Sequence, residues 1–345
     1  MKFISSISLL LLFPALLQAQ QKVALKNTAA ENSTPSLPVS GISVMLCLSD
    51  STSLGYVNST ESTEKVCALP DGNCSQWLQK YINAQYRSSF SRTGRQLLWV
   101  ISDLNIGTDP NNKISQLKLK ASAYLAEAAG YSPICTLDTI FTKEQVTDYG
   151  KSVADAMNVL FAGSTGAALK TAAENAKKEG SIFSNKDELY NQQANRFNMP
   201  ILKANNYQQG VYLSFEEFRK NKPSVFDIIA KADSTDQVTL YQLSADSTQI
   251  PITNAWGLSF NNELYMLENG KLIPVERSAS SIALSRFKEP ASRSNQAIFW
   301  RNYIGRQSGN NNPFKERKTA SATKSVSPVY AEATRVDMET GLLTF

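Results

Sequence analysis

The chain contains no histidine, so any chemistry it performs must come from carboxylates, amines, hydroxyls or thiols. That removes Ser-His-Asp and Cys-His catalysis, imidazole metal ligation and histidine proton relays. Among the acids, Asp103 ends a strongly apolar run and Asp138 lies in a second strand-like run. Two carboxylates held roughly 5 to 9 Å apart in a cleft could act as acid and base. The alternative is that both are ordinary strand-end or solvated acids. Glu216 and Glu217 are adjacent in a helical stretch and so point roughly 100° apart, which does not make a shared site. Ser-x-x-Lys occurs at Ser62–Lys65, Ser115–Lys118 and Ser321–Lys324. The Ser-Asp-Asn and Lys-Thr-Gly partners that such a nucleophile uses are missing, and chance accounts for these matches. "AGSTGAALKT" has Lys170 four residues after Gly166 and follows a helical stretch, which is not the phosphate-loop spacing or context. No catalytic, cofactor-binding or metal-binding residue is assigned, and no enzymatic activity or cofactor is expected.

The beginning of the chain predicts where it works. "MKFISSISLLLLFPALLQAQ" has Lys2, an apolar stretch around Leu9 to Phe13 and a small residue at Ala19, the layout of a secretory signal spanning residues 1–19. The apolar stretch is shorter than the roughly 20 residues a membrane span needs. No cysteine stands near the cleavage point, so no lipid anchor is expected. The expectation is an exported protein of the periplasm or cell surface, with no transmembrane segment once the signal is removed.

An oxidising compartment changes the reading of Cys47, Cys67, Cys74 and Cys135. An even count there favours disulfides, with three connectivities open. "CALPDGNC" closes a short loop around a Pro-Asp-Gly turn, so Cys67–Cys74 is the easiest local bridge. Cys47 and Cys135 are then left to pair between strands or to remain buried thiols. Zinc would want closer paired spacings.

Two further features invite a surface role. Residues 286–324 carry nine Lys and Arg against Glu289 and Glu316, interleaved with Phe299, Trp300, Tyr303 and Phe314. Such a basic, aromatic stretch could meet anionic glycans or phosphate-bearing polymers through Trp300, Arg301, Tyr303 and Arg306; a solvated insertion is the plainer reading. The net charge of +5 is too modest for this length to suggest nucleic-acid binding. Asp-Ser-Thr occurs at Asp50, Asp233 and Asp246, and an Asp-Ser/Thr triplet resembles an O-glycosylation acceptor of some Gram-negative envelopes. Ser51, Ser234 and Ser247 are the candidate acceptors, against the alternative that Asp and Ser simply favour turns.

The elements that would position these residues follow from periodicity. "ISVMLCL" reads as a buried strand, "SQWLQKYINAQYR" as a helix capped by Ser75, and "RQLLWVISDLNI" as a strand buried on both faces. "ISQLKLKASAYLAEA" alternates at Leu117, Leu119, Ala121 and Ala123, the pattern of a strand with one wet face, and "YSPICTLDTIF" reads as its hairpin partner. "KEQVTDYGKSVADAMNVLF" is an amphipathic helix. The fold class is α+β. The expected layout is a leader at 20–40, an N-terminal α+β domain at 41–162 with helices on an antiparallel sheet, and a helical linker at 163–205. A β-rich C-terminal domain at 206–345 would follow, with a polar basic insertion at 288–328. In the linker, "SNKDELYNQQANRF" opens with a Ser-x-x-Asp cap pattern. In the C-terminal part, "NNE" and "NGK" supply turns between short strands.

In "SFEEFRKNKPS", Ser214 and Glu217 form a capping box, Phe215 and Phe218 share one face, and Pro223 ends the helix. "GVYLSFEEFRKNKPS", "AWGLSFNNELYMLENGKLIPV" and "VDMETGLLTF" together resemble a group of uncharacterised secreted proteins of Gram-negative bacteria that carry a "GxYxSFEEFxxNxPS" C-terminal domain. The resemblance implies a strand and helix introducing a small β-rich domain, and it brings no catalytic residue with it. The element order of the first domain is also similar to auxiliary envelope lipoproteins of transporters, whose lipidated cysteine is lacking here. The function expected is a non-catalytic envelope interaction or assembly module, with an envelope protein or surface polymer as partner. The alternative is a glycan or cell-wall polymer binder, which would show an accessible aromatic platform at Trp256, Trp300 or Tyr303.

Overall fold

The computed structural model describes residues 20–26, 37–58, 65–109, 114–144, 148–174, 183, 185–233, 237–278, 280–285 and 333–345. The signal stretch, Ser234, and the Trp300, Arg301, Tyr303 and Arg306 set lie outside the described residues. The protein is a mixed α+β fold in which strands predominate.

The first sheet has seven strands: β1 (Gln20–Val23), β2 (Leu37–Leu46), β3 (Gly55–Asn58), β4 (Lys65–Pro70), β5 (Phe90–Thr108), β6 (Ile114–Glu127) and β7 (Gly130–Glu144). Helices α1 (Cys74–Tyr86) and α2 (Tyr149–Glu174) follow β4 and β7. The strand order is β1-β4-β3-β5-β6-β7, and β2 lies beside the first half of β5. The sheet is mixed rather than antiparallel, because β2 and β3 both run parallel to β5 and β1 runs parallel to β4. A parallel pair needs a crossover, and α1 provides it between β2 and β5.

Residues 20–40 are not simply a leader. Gln20–Val23 pairs with β4, Val23 is 2 % exposed, and β2 already begins at Leu37. The α1 cap is Asn73, whose side chain accepts from the backbone N–H groups of Ser75 and Gln76, in place of the expected Ser75. Trp77, Leu78, Tyr81 and Ile82 then face the core as their spacing predicts. The expected boundary at 162/163 falls inside α2, which continues through Gly163 to Glu174. Ser164 is fully buried there and accepts from Trp99 Nε1 at 3.2 Å. "AGSTG" is therefore helix packed on the core, not a loop.

One face of the sheet is covered by α1 and α2, with Leu97, Trp99, Ile101, Leu117 and Leu119 beneath them. The opposite face carries Leu98, Val100, Tyr124 and Cys47, which pack with Leu189 of α3 (Lys186–Ala194). The α3 cap is Asn185, accepting from Glu188 N at 2.8 Å, rather than the preceding serine.

After α4 (Pro200–Lys203), the chain forms β8 (Gly210–Tyr212), α5 (Phe215–Arg219), β9 (Ile228–Ala232), β10 (Val238–Leu243) and β11 (Gln249–Pro251). Strands β12 (Gly257–Phe260), β13 (Glu263–Glu268), β14 (Lys271–Arg277), β15 (Ile282–Leu284), β16 (Arg335–Val336) and β17 (Leu343–Thr344) complete it. A small sheet β11-β10-β9 stands beside a second seven-stranded sheet, β17-β16-β15-β14-β13-β12-β8. Positive φ at Asn261 and Asn262, and at Asn269 and Gly270, forms the two tight hairpin turns for which Asn and Gly are suited.

The opening of α5 is a capping box with a variation. Ser214 Oγ accepts from Glu217 N, while Glu217 reaches back to Leu213 N at 2.8 Å and also takes the Ser224 hydroxyl at 2.6 Å. Asn221, at φ 51°, ends the helix two residues before Pro223. Its side-chain oxygen accepts from Gln208 N and the Tyr212 hydroxyl, which holds that left-handed turn. Phe218 is fully buried and packs against Trp256 at 4.2 Å between ring centres.

Candidate functional site

Asp103 and Asp138 do come together, but in company that changes their chemistry. A bulge between Ile101 and Asp103 shifts β5, which puts Asp103 and Asn105 on the face away from α1 and α2. Lys118 and Lys120 of β6 pair in register with Asn105 and Asp103, and Lys120 also with Asp138 of β7. Over this face lies the β16–β17 hairpin, carrying Arg335, Asp337 and Glu339. Arg196, just beyond α3, closes one side.

Lys118 is the centre. Its ammonium lies 3.1 Å from Asp103 Oδ2 and 2.9 Å from Asp337 Oδ2, and its side chain is 4 % exposed. Asp103 Oδ1 takes Arg335 Nη2 at 2.6 Å, and Arg335 Nη1 donates to Ser49 Oγ at 3.2 Å. Asp337 Oδ1 accepts from the backbone N–H groups of Glu339 and Thr340, so one carboxylate closes the hairpin turn and binds Lys118. Glu339 binds Lys120 and also Arg196, the latter at 2.7 Å. Lys120 stands 3.9 Å from Asp138. Four carboxylates thus meet four cations around a cavity of about 190 Å³.

The hairpin is also seated by shape. Asn105 Nδ2 donates to the Phe345 carbonyl. A Cβ on Gly107 would stand 2.6 Å from the Phe345 Cβ, so only glycine lets the fully buried Phe345 side chain lie on β5. This is why the face of β6 expected to be wet is dry at Gln116 and Lys118, which are each 3 % exposed.

The ionisation states follow from the partners. Burial alone would raise the Asp103 carboxyl; Arg335 and then Lys118 outweigh it and hold it below the ordinary carboxylate range. Asp337 is lowered as well, with Lys118 and two backbone N–H groups overcoming its burial. Asp138 goes the other way: burial pushes it up, and Lys120 only partly offsets this. A pair of acids with separated pKa values can mark acid–base catalysis. Here both oxygens of Asp103 are engaged by Arg335 and Lys118. The cavity is also below the roughly 300 Å³ at which small-molecule sites begin. The cluster ties the hairpin to the first sheet.

These shifts give a pH signature. A lowered acid stabilises the fold above its unfolded pKa and loses that contribution as pH falls through the folded value. Asp103 and Asp337 therefore support the fold down to the ordinary carboxylate range and fail below it. The raised Asp138 has the opposite sign, since the folded state binds its proton more tightly and acidification toward the ordinary pKa stabilises. Its side chain is 38 % exposed, so the gain is small. On lowering the pH from about 7 to about 5, the melting temperature of the wild type should rise relative to Asp138→Asn; a constant difference contradicts the assignment.

The expected disulfides are absent: all four cysteines are free. Val66 and Ala68 of β4 lie in the core with Cys74, so Cys67 between them points to the other face, where it donates to Ser53 Oγ. Cys47 and Cys135 are likewise separated by the sheet, Cys47 packing with Leu98 and Leu189 and Cys135 against the α1–α2 side. Burial pushes the Cys47 thiol up to about 11 and Cys74 to about 12. These groups behave as small apolar side chains.

The other sequence candidates are dispersed. Ser115 and Lys118 are three residues apart on one strand and so face opposite ways. Ser51 and Ser247 are exposed, and the aspartates before them bind nearby backbone N–H groups, Asp50 that of Thr52 and Asp246 that of Thr248. That is turn geometry. Trp256 is half-buried under Phe215 and Phe218 and donates to the Gly341 carbonyl, so it offers no open platform. Among the described residues, no three His, Cys, Asp or Glu side chains are placed to hold a metal ion. No helix among them is long and apolar enough to cross a membrane.

No family model matches the chain, and no curated protein matches it. Among solved structures, it is similar to a Xanthomonas campestris protein of family DUF330 at 10 % identity and a TM-score of 0.28. The match covers 43 % of this chain and 96 % of that one. At that score the likeness carries no argument about fold or function.

Proposed function

We propose that the chain is an exported, non-catalytic interaction module of a Gram-negative cell envelope, built as an N-terminal α+β unit and a β-rich C-terminal unit. Export rests on the signal-like stretch at residues 1–19. The observation that carries the interaction reading is the edge of the first sheet. β7 is fifteen residues long, and β6 is its only ladder partner among the described residues. Beyond the Tyr131–Phe183 bridge at its start, the other edge pairs with nothing among the described residues. Soluble proteins blunt such edges or use them; Pro133 and Lys143 blunt only the ends of this one. The charged cluster supports the same reading, because its acids are committed to ion pairs.

The test is a photo-reactive amino acid placed at Thr136 or Thr142 on β7, in the protein expressed in its native host. Cross-links to one discrete partner polypeptide or to a second copy are expected. Cross-links to no macromolecule from either position would contradict the reading.

A further inference from the structure

Among the described residues the first sheet has another open edge, and this one lies at the bottom of a groove. β2 forms its only ladder among the described residues with β5, in parallel register from Ile42↔Leu97 to Leu46↔Ile101. In a parallel strand the backbone groups of successive residues point to opposite sides. Cys47 N donates to Ile101 O at 2.8 Å, so the odd-numbered residues face β5. Ile42, Val44 and Leu46 turn their N–H and C=O groups outward.

One side chain already treats that edge as a pairing surface. Gln79 of α1 accepts from Val44 N and donates to Ile42 O, both at 2.8 Å. Its amide stands where one peptide group of a further strand would stand. On either side of it two cavities run along β2, of about 990 Å³ beside Ser40 to Ser43 and about 480 Å³ beside Val44 to Leu46. They share Ser75 in their linings, α1 forms one wall, and α3 walls the second cavity. The charged side chains along this course are Lys80, Arg87, Lys186 and Asp187. Lys80, Arg87 and Lys186 are exposed and form no ion pair among the described residues.

We propose that the β2 edge accepts an extended acidic segment of a partner polypeptide, which pairs with the outward backbone groups of Ile42 to Leu46 and displaces the Gln79 amide. Strand addition of this kind takes affinity from main-chain hydrogen bonds and selectivity from flanking side chains. The flanking charges here are three cations against one acid, which selects carboxylates. A second copy of β2 would bring the same cations face to face, so self-pairing is the disfavoured occupant. The inference rests on the interaction-module reading and names the chemistry of the partner.

The probe is a labelled synthetic decapeptide alternating Glu with Val and Thr, titrated into the full chain and followed by fluorescence anisotropy. Saturable binding is expected. Lys80→Glu with Lys186→Glu should weaken it by about tenfold or more, and Gln79→Ala, which removes the competing amide, should strengthen it. The same peptide N-methylated at alternate amides, which cannot pair, should not bind. Failure to bind the acidic peptide, equal binding by the double variant, or equal binding of the N-methylated peptide would each overturn the proposal. If it is overturned while cross-links from β7 still form, the interaction reading stands and only the β2 assignment falls.

Discussion

Lys118→Met should lower the free energy of unfolding by about 3 to 5 kcal/mol, measured by urea denaturation at neutral pH. The size follows from what is left behind. Methionine fills much the same volume, so packing is nearly kept, but Asp337 loses its only ion-pair partner among the described residues and Asp103 keeps only Arg335. A buried carboxylate without its cation costs far more than a surface pair, for which about 0 to 1 kcal/mol is typical. The loss should shrink toward pH 3, where the acids protonate and no longer need the cation. A loss below about 1 kcal/mol would mean that the cluster is solvated and does not hold the hairpin.

Phe218→Ala should cost about 3 to 5 kcal/mol. Phe218 is fully buried, meets Tyr212 edge-on at 5.4 Å and Trp256 at 4.2 Å, and sits in the same core as Met266, Ile273 and Phe345. Removing it empties the point where α5, β8 and the β16–β17 hairpin meet. Because Phe345 lies in that core and also on Gly107 of the first sheet, the damage should reach the cluster. Hydrogen exchange at Asn105 and Lys118 should quicken along with that in β8. An unchanged melting temperature would refute the placement of this face.

Much of this was legible from local patterning. The continuous apolar run of β5, the alternation in β6, the α1 face and the Ser214 capping box are all signals carried within a dozen residues. What the patterning missed depends on pairing across distance. Lys118 occupies a polar position in an alternating strand, and alternation says only that it faces away from Leu117 and Leu119; whether water or a second layer meets it depends on residues more than two hundred positions later. The parallel pairing of β2 was hidden because a crossover is a property of three elements together. The cysteines misled because spacing along the chain says nothing about which face of β4 each thiol takes. Asp103 and Asp138 could be suspected of converging, but the four cations that neutralise the cluster come from three separate parts of the chain.

The charged cluster is an internal lock that ties the β16–β17 hairpin to the first sheet. A double-mutant cycle on Lys118→Met and Asp337→Leu, read as unfolding free energies, tests it most directly. The lock predicts a coupling of about 1 to 3 kcal/mol, with the double variant less destabilised than the two single losses added together. A coupling within about 0.3 kcal/mol of zero would contradict it.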